Sequence, residues 1–176
     1  GLLDERVNFV MGRPMRPEEE AYYDLPARSE ESGTLYEHCV RAIQSSLQFG
    51  RHGLPLMGTG DWNDAMNRVG YRELGESIWM AFFLYDVLIK FEEISLMRGD
   101  ETFAGLCRSE SSNLRRKIEE SGWDGHWYLR AYFDNGVALG SAAGEECRID
   151  SIPQSWSVLS GAADPERSKE AMEEVD

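Results

Sequence analysis

The feature that most narrows the fold of this chain is the apolar run over residues 78–91, because so much contiguous apolar surface is not stable in water. Asp86 and Lys90 interrupt the run, and it falls short of the roughly 20 apolar residues that cross a bilayer. It therefore predicts a helix from about Ser77 to Met97, apolar on most faces and buried on most faces, and ended by Gly99.

The other elements are read outward from that helix. Residues 1–33 read as a loop-rich entry, since Pro14, Pro17 and Pro26 break regular structure and Glu18-Glu19-Glu20 suits a solvated acidic patch. Thr34-Leu35-Tyr36-Glu37 is a capping box, followed at helical spacing by Leu35, Cys39, Ala42, Ile43 and Leu47, with Gly50 as the stop. Asp100 caps a helix reaching about Glu120, whose apolar stripe is Phe103, Leu106, Leu114 and Ile118, and Gly122 ends it. Over residues 126–139, Trp127, Leu129, Ala131 and Phe133 alternate with Tyr128, Arg130 and Tyr132, and Asp134-Asn135-Gly136 makes a hairpin turn. A short helix around Gln154 to Leu159 follows, and Asp164-Pro165 opens a last one. The expected class is all-α with a short β-hairpin insertion. Buried and half-exposed helices alternate, which suggests two concentric rings. No linker divides the 176 residues, and the helix opened at their end has no stop signal, so residues 1–176 read as a fragment of one longer domain.

A net charge of −14 argues against nucleic acid or an anionic membrane surface as partner. It leaves room for a small anion such as phosphate, held locally by an Arg or by backbone N–H groups. Cys39, Cys107 and Cys147 are odd in number and far apart, with no CxxC, which points to a reducing compartment rather than a disulfide framework or a zinc site. The first residues, Gly1-Leu2-Leu3-Asp4-Glu5-Arg6, carry no signal-peptide pattern. A cytoplasmic location is expected, either free or as the cytoplasmic part of a membrane-anchored protein.

The densest chemistry lies in the glycine-rich stretch 50–76, at Gly58-Thr59-Gly60-Asp61-Trp62-Asn63-Asp64. Long ordered loops of this kind are usually functional. Trp62 can stack on the C–H face of a sugar, Asp61 and Asn63 can hold hydroxyls, and a carboxyl kept protonated by an apolar wall can donate to a leaving oxygen. From spacing alone a simple turn, a calcium loop and a sugar site all remain open. The regular D-x-[DN]-x-[DN]-G ligand spacing is missing, which counts against calcium. His38, His52 and His126 read as hydrogen-bonded structural histidines, and no H-x-x-H pair, G-x-S-x-G elbow or phosphate-binding glycine motif is present. Glu145-Glu146 and Arg148-Ile149-Asp150 form a second polar cluster whose plainest reading is a surface salt-bridge patch.

Several blocks together resemble the glycoside hydrolase family 94 phosphorylases, the group of cellobiose phosphorylase and of the C-terminal phosphorylase-like domains of cyclic β-1,2-glucan synthases. They are Gly53-Leu54-Pro55-Leu56-Met57-Gly58-Thr59-Gly60-Asp61-Trp62-Asn63-Asp64, Asn67-Arg68-Val69-Gly70, Gly75-Glu76-Ser77, Thr34 to Cys39, Gly122-Trp123-Asp124-Gly125 with Trp127-Tyr128, and Cys147 to Ile152 with Gln154-Ser155-Trp156. One departure is Ala65, where relatives often carry Gly.

The resemblance implies a partial (α/α)6 barrel with Asp64 as general acid and Trp62 lining the subsite of the sugar that is cleaved. Asp61 and Asn63 are expected to shape the loop or bind hydroxyls, and Arg148 and Asp150 are weaker substrate-binding candidates. The implied reaction is inverting phosphorolysis of β-glucosides, with β-1,2-glucan as the expected substrate and α-glucose 1-phosphate as product. Inorganic phosphate is the co-substrate, and no cofactor or metal is called for. Phosphate and part of the donor sugar would be bound by segments of the parent polypeptide outside these residues, so the isolated chain is expected to be inactive; a homodimer is compatible with the reading. Two alternatives stand beside it. One is an inverting hydrolase on the same fold, which needs a base carboxylate about 6.5–9.5 Å from the acid. The other is a non-catalytic sugar-binding or structural segment of a large glucan synthase.

Overall fold

A computed structural model describes all residues except 15, 17, 20–22, 59–65 and 176. It divides into two compact units, residues 1–46 and 47–176.

The first unit opens with a 3₁₀ turn at Leu2–Asp4, followed by β1 (Arg6–Met11), β2 (Ala27–Thr34) and helix α1 (Leu35–Ser46). β1 and β2 pair antiparallel, Arg6 opposite Thr34 and Met11 opposite Ala27, with a bulge between Asn8 and Val10. Thr34 joins β2 to α1 through the expected capping box. Its N–H donates to Glu37 Oε2 at 2.6 Å, while Glu37 N–H donates to Thr34 Oγ1 at 3.2 Å. Phe9 of β1 stacks on His38 of α1 (centroids 3.8 Å apart), and the Arg41 guanidinium lies over the Phe9 ring at 4.1 Å. His38 Nε2 is 3.2 Å from Val7 O, a structural role.

The second unit holds β3 (Glu76–Ser77), α2 (Ile78–Met97), α3 (Glu101–Ser121), β4 (Ala131–Tyr132), β5 (Ala138–Leu139), α4 (Ser151–Ser160) and α5 (Pro165–Glu173). The three short strands form an antiparallel sheet in the order β3-β4-β5. α2 is capped by Ser77, packs along α3 and lies against α4. Its buried side is Ile78, Ala81, Phe82, Leu88 and Phe91, and edge-to-face aromatic pairs tie it to its neighbours, Phe82 with Tyr128 at 5.1 Å and Phe91 with Phe103 at 5.7 Å. Phe83, Ile89, Leu96 and Met97 stay exposed on its outer side. Asp100 caps α3, and Asp164, followed by Pro165, caps α5. Among the described residues, no helix is long and apolar enough to cross a membrane.

Three expectations are corrected. The chain is not all-α, and the toroidal (α/α)6 arrangement is not what these elements form: five α-helices stand beside two antiparallel sheets among the described residues. The entry 1–33 is likewise not mainly loop, because β1 and β2 occupy much of it. The prolines, Pro14 and Pro26, fall between the two strands, where a strand connection tolerates them. The alternation over 127–133 also has a different cause. Trp127, Tyr128, Leu129, Arg130 and Ala131 are all buried, so both faces of this segment are covered rather than one.

A fully buried amide fastens that segment. Gln154 Oε1 accepts from Tyr128 N–H at 2.9 Å, and Gln154 Nε2 donates to Tyr128 O at 2.7 Å and to Asp150 O at 3.0 Å. Below it, the Tyr128 hydroxyl donates to Glu119 Oε1 (2.8 Å), which also accepts from Asp164 N–H (2.9 Å). Glu119 Oε2 takes Arg167 Nη1 at 2.6 Å. Burial and the Glu119 carboxylate together push the Tyr128 phenol well up, so it stays a donor at any physiological pH.

Gln154→Leu keeps the volume but strands two buried backbone groups of Tyr128 and takes a donor from the part-buried Asp150 carbonyl, and should lower the unfolding free energy by about 3 kcal/mol in urea titrations. Burial pushes the Cys107 thiol up to about 11, so about one molecule in a thousand carries its thiolate at pH 8. Exposed Cys147 should therefore react first with an aromatic disulfide reagent, and Cys107 only as the protein unfolds.

Candidate active site

The sequence-derived acid and its neighbours, Asp61, Trp62, Asn63 and Asp64, lie outside the described residues. Both stems of their loop are described, Gly50 to Gly58 on one side and Met66 to Gly75 on the other, and the site is built from these.

The N-terminal stem is organised by Glu76, only 1% exposed at the start of β3. Burying a carboxylate costs several kcal/mol unless donors surround it, and here three do. Oε1 accepts from the N–H groups of His52 (3.0 Å) and Leu54 (3.1 Å), and Oε2 lies 2.5 Å from His52 Nδ1. The His52 ring is held from its face by Tyr132, stacked at 3.9 Å. The carboxylate sits against Gly50 so closely that a Cβ there would fall 2.4 Å from Glu76 Cδ. Backbone pairing extends the same stem: Leu56 bridges to Glu76, Ser77 N–H donates to Pro55 O at 3.0 Å, and Met57 N–H donates to Gly75 O at 3.0 Å.

The C-terminal stem is held from the turn between β4 and β5. Asp134 Oδ2 accepts from Arg72 N–H and Oδ1 from Leu74 N–H, both at 2.9 Å, while Asp134 N–H donates to Val69 O at 3.0 Å. Where the two stems meet, backbone touches backbone. A Cβ on Gly70 would fall 2.2 Å from Gly58 O across the neck, and within the C-terminal stem one on Gly75 would fall 2.6 Å from Gly70 Cα, so neither position admits a side chain without moving backbone. Met57 and Val69 are buried with Ala131 of β4, and Met66, Met80, Phe133 and Leu139 pack around them. Both stems thus rest on one apolar cluster beside the β3-β4-β5 sheet.

Arg130 of the 127–131 segment is 1% exposed. Its Nη1 donates to Ser77 Oγ at 3.3 Å, and its Nε lies 3.2 Å from Asp150 Oδ2. Asp150 also caps α4, its Oδ1 accepting from Ile152 N–H at 2.8 Å. Of the second candidate pair, Arg148 is exposed, and its carbonyl takes the Trp127 indole N–H at 2.9 Å. Asp150 has both oxygens in use inside the protein. The plain salt-bridge patch read from the sequence is therefore a link from a surface loop to a buried arginine. His52 is a structural histidine as expected, and His126 pairs with Glu170 at 3.2 Å. Sequence reasoning placed Asp134 in a turn, Arg130 in a strand and Glu76 in a family-like block, but gave none of the three a part in the site. The usable signal for Glu76 was a carboxylate set between Gly75 and the cap of an apolar helix, a place where solvent is scarce.

Glu76→Ala removes one partner of a buried pair and leaves three donors without an acceptor, so it should cost about 3–5 kcal/mol in chemical denaturation. Removing the exposed pair Lys90–Asp86 (2.6 Å) should cost below about 0.5 kcal/mol in the same assay.

With this geometry in hand, comparison with known proteins is informative. A model of the glycosyl hydrolase 94 superfamily catalytic domain matches residues 9–176. The chain is 42% identical to cyclic beta-(1,2)-glucan synthase NdvB of Rhizobium meliloti (strain 1021) over 99% of its own length and 6% of that protein's. It is 37% identical to solabiose phosphorylase of Paenibacillus borealis over 86% of the chain and 20% of the relative. Against cellobionic acid phosphorylase of Neurospora crassa it is 33% identical over 86% of the chain and 19% of the relative. It therefore spans a fifth or less of the length of these relatives. The match over residues 9–176, a range that takes in nearly every described element, makes the chain a member of the glycosyl hydrolase 94 superfamily, within its catalytic domain.

Proposed function

We propose that these residues form the acid-bearing part of an inverting glycoside phosphorylase acting on β-glucosidic bonds, with β-1,2-glucan as the substrate. The reading is carried by one observation: the family match runs through the Gly53–Gly70 block, whose two stems are locked onto a buried sheet at either end of the D-W-N-D sequence. Relatives with phosphorylase in their names support phosphate as co-substrate, and the glucan synthase relative supports the β-1,2 linkage.

Asp64 protonates the glycosidic oxygen as the C1–O bond breaks, and a phosphate oxygen forms the new bond to C1 from the opposite face. Hydrogen phosphate is already an anionic nucleophile, so one carboxylic acid suffices where a hydrolase needs a second carboxylate to activate water. The proton lost from Asp64 is made good by the proton that phosphate releases as its ester ionises. The products are α-glucose 1-phosphate and a shortened glucan. Trp62 stacks on the departing sugar, while Asp61 and Asn63 hold its hydroxyls. Arg148 and Asp150 remain candidates for sugar contact, Arg148 through its exposed side chain and Asp150 with its carboxylate already taken by Arg130 and α4. The rest of the parent polypeptide supplies the phosphate site.

In the intact enzyme, Asp64→Asn should abolish phosphate-dependent release of α-glucose 1-phosphate from β-1,2-gluco-oligosaccharides, a loss of about 10²–10⁴-fold. Undiminished turnover by the variant would remove Asp64 as the acid. Sugar release that does not need phosphate would point to the hydrolase.

A further inference from the structure

The geometry points to Glu76 and Asp134 as positioning residues for the proton donor: two carboxylates that touch no substrate but fix the two stems of the loop carrying Asp64. This rests on the proposed role of Asp64 and extends it to residues that the motif itself does not contain.

Four of the backbone N–H groups on the stems are taken by these two side chains. Glu76 takes those of His52 and Leu54 at 3.0 and 3.1 Å, and Asp134 takes those of Arg72 and Leu74, both at 2.9 Å. Both carboxylates stand on the same small sheet. Glu76 opens β3, and Asp134 follows β4, whose Tyr132 is paired with Glu76. The two stems are thereby referred to one small sheet, and at the neck a Cβ on Gly70 would fall 2.2 Å from Gly58 O. A simple fold-stabilising role does not need this division of labour, one carboxylate per stem. A donor that must lie within a fraction of an ångström of a glycosidic oxygen does need it, since a displacement near 1 Å can cost about 10²-fold in rate.

The test uses the intact enzyme and two donors. A β-1,2-glucan oligosaccharide needs its leaving oxygen protonated. β-Glucosyl fluoride does not: phosphate attacks C1, the C–F bond breaks, and fluoride leaves with the electron pair. The variants are Glu76→Gln, Asp134→Ala and, as reference, Asp64→Asn, all assayed well below their own melting temperatures. The expected result is that Glu76→Gln and Asp134→Ala each lose roughly 10- to 100-fold in kcat on the glucan, keep the KM for phosphate, and stay within about twofold of the parent on the fluoride, the same signature as Asp64→Asn in milder form. Equal losses on both donors, or none on either, overturn the positioning role while Asp64→Asn keeps its selective loss. If Asp64→Asn itself shows no selectivity, the acid assignment fails, and that outcome is distinct from the first. Should Glu76→Gln not fold, Asp134→Ala decides, because its carboxylate lies nearer the surface.

Discussion

The described part of the catalytic region depends on a carboxylate with almost no water around it. Glu76 would be unstable at 1% exposure without donors, and the donors it collects are the backbone of the strand-like stem opposite. The next residue completes the joint. Ser77 caps α2, its backbone N–H reaches Pro55, and its hydroxyl takes Nη1 of the buried Arg130. Two neighbouring residues thus connect loop, sheet and longest apolar helix. The energetic logic is one of mutual need, since stem amides without Glu76 and Glu76 without stem amides are each costly.

That arrangement suits a site that works by holding one acid still. Loops placed on packed strands are held more tightly than loops tethered only at their chain ends, and proton transfer rewards small positional errors with large rate losses. The two stems pack on an apolar cluster built from Met57, Val69 and Ala131. The strongly negative chain also means that any phosphate it works with must be bound through local positive groups, since the overall field repels it.

Much of the second unit was legible in the sequence. The apolar run, Ser77, Asp100 and Asp164 fixed three helix starts, and the Asp134-Asn135-Gly136 turn located the hairpin. β1 and β2 were not legible. The polar composition of β2, Ala-Arg-Ser-Glu-Glu-Ser-Gly-Thr, gives little β signal, the pairing is made by backbone, and β1 is further held by contacts far apart in sequence such as Phe9 with His38 of α1. Arg130 looked like the polar side of a half-exposed strand, because alternation cannot reveal that a second layer covers both faces. Glu76 was hidden for a similar reason. Sequence shows a charge, and only the fold shows that its partners are amides twenty-two and twenty-four residues away. The block of residues 61–64 was legible as a motif, and the family match over residues 9–176 runs through it.

The most direct measurement is a crystal structure of the intact Asp64→Asn enzyme with a β-1,2-gluco-oligosaccharide and phosphate bound. The account predicts the side chain at position 64 within hydrogen-bond reach, roughly 2.6–3.2 Å, of the oxygen linking the two sugars, with phosphate on the far side of the anomeric carbon. A side chain at position 64 turned to bulk solvent, with another carboxyl group against that oxygen, would contradict it.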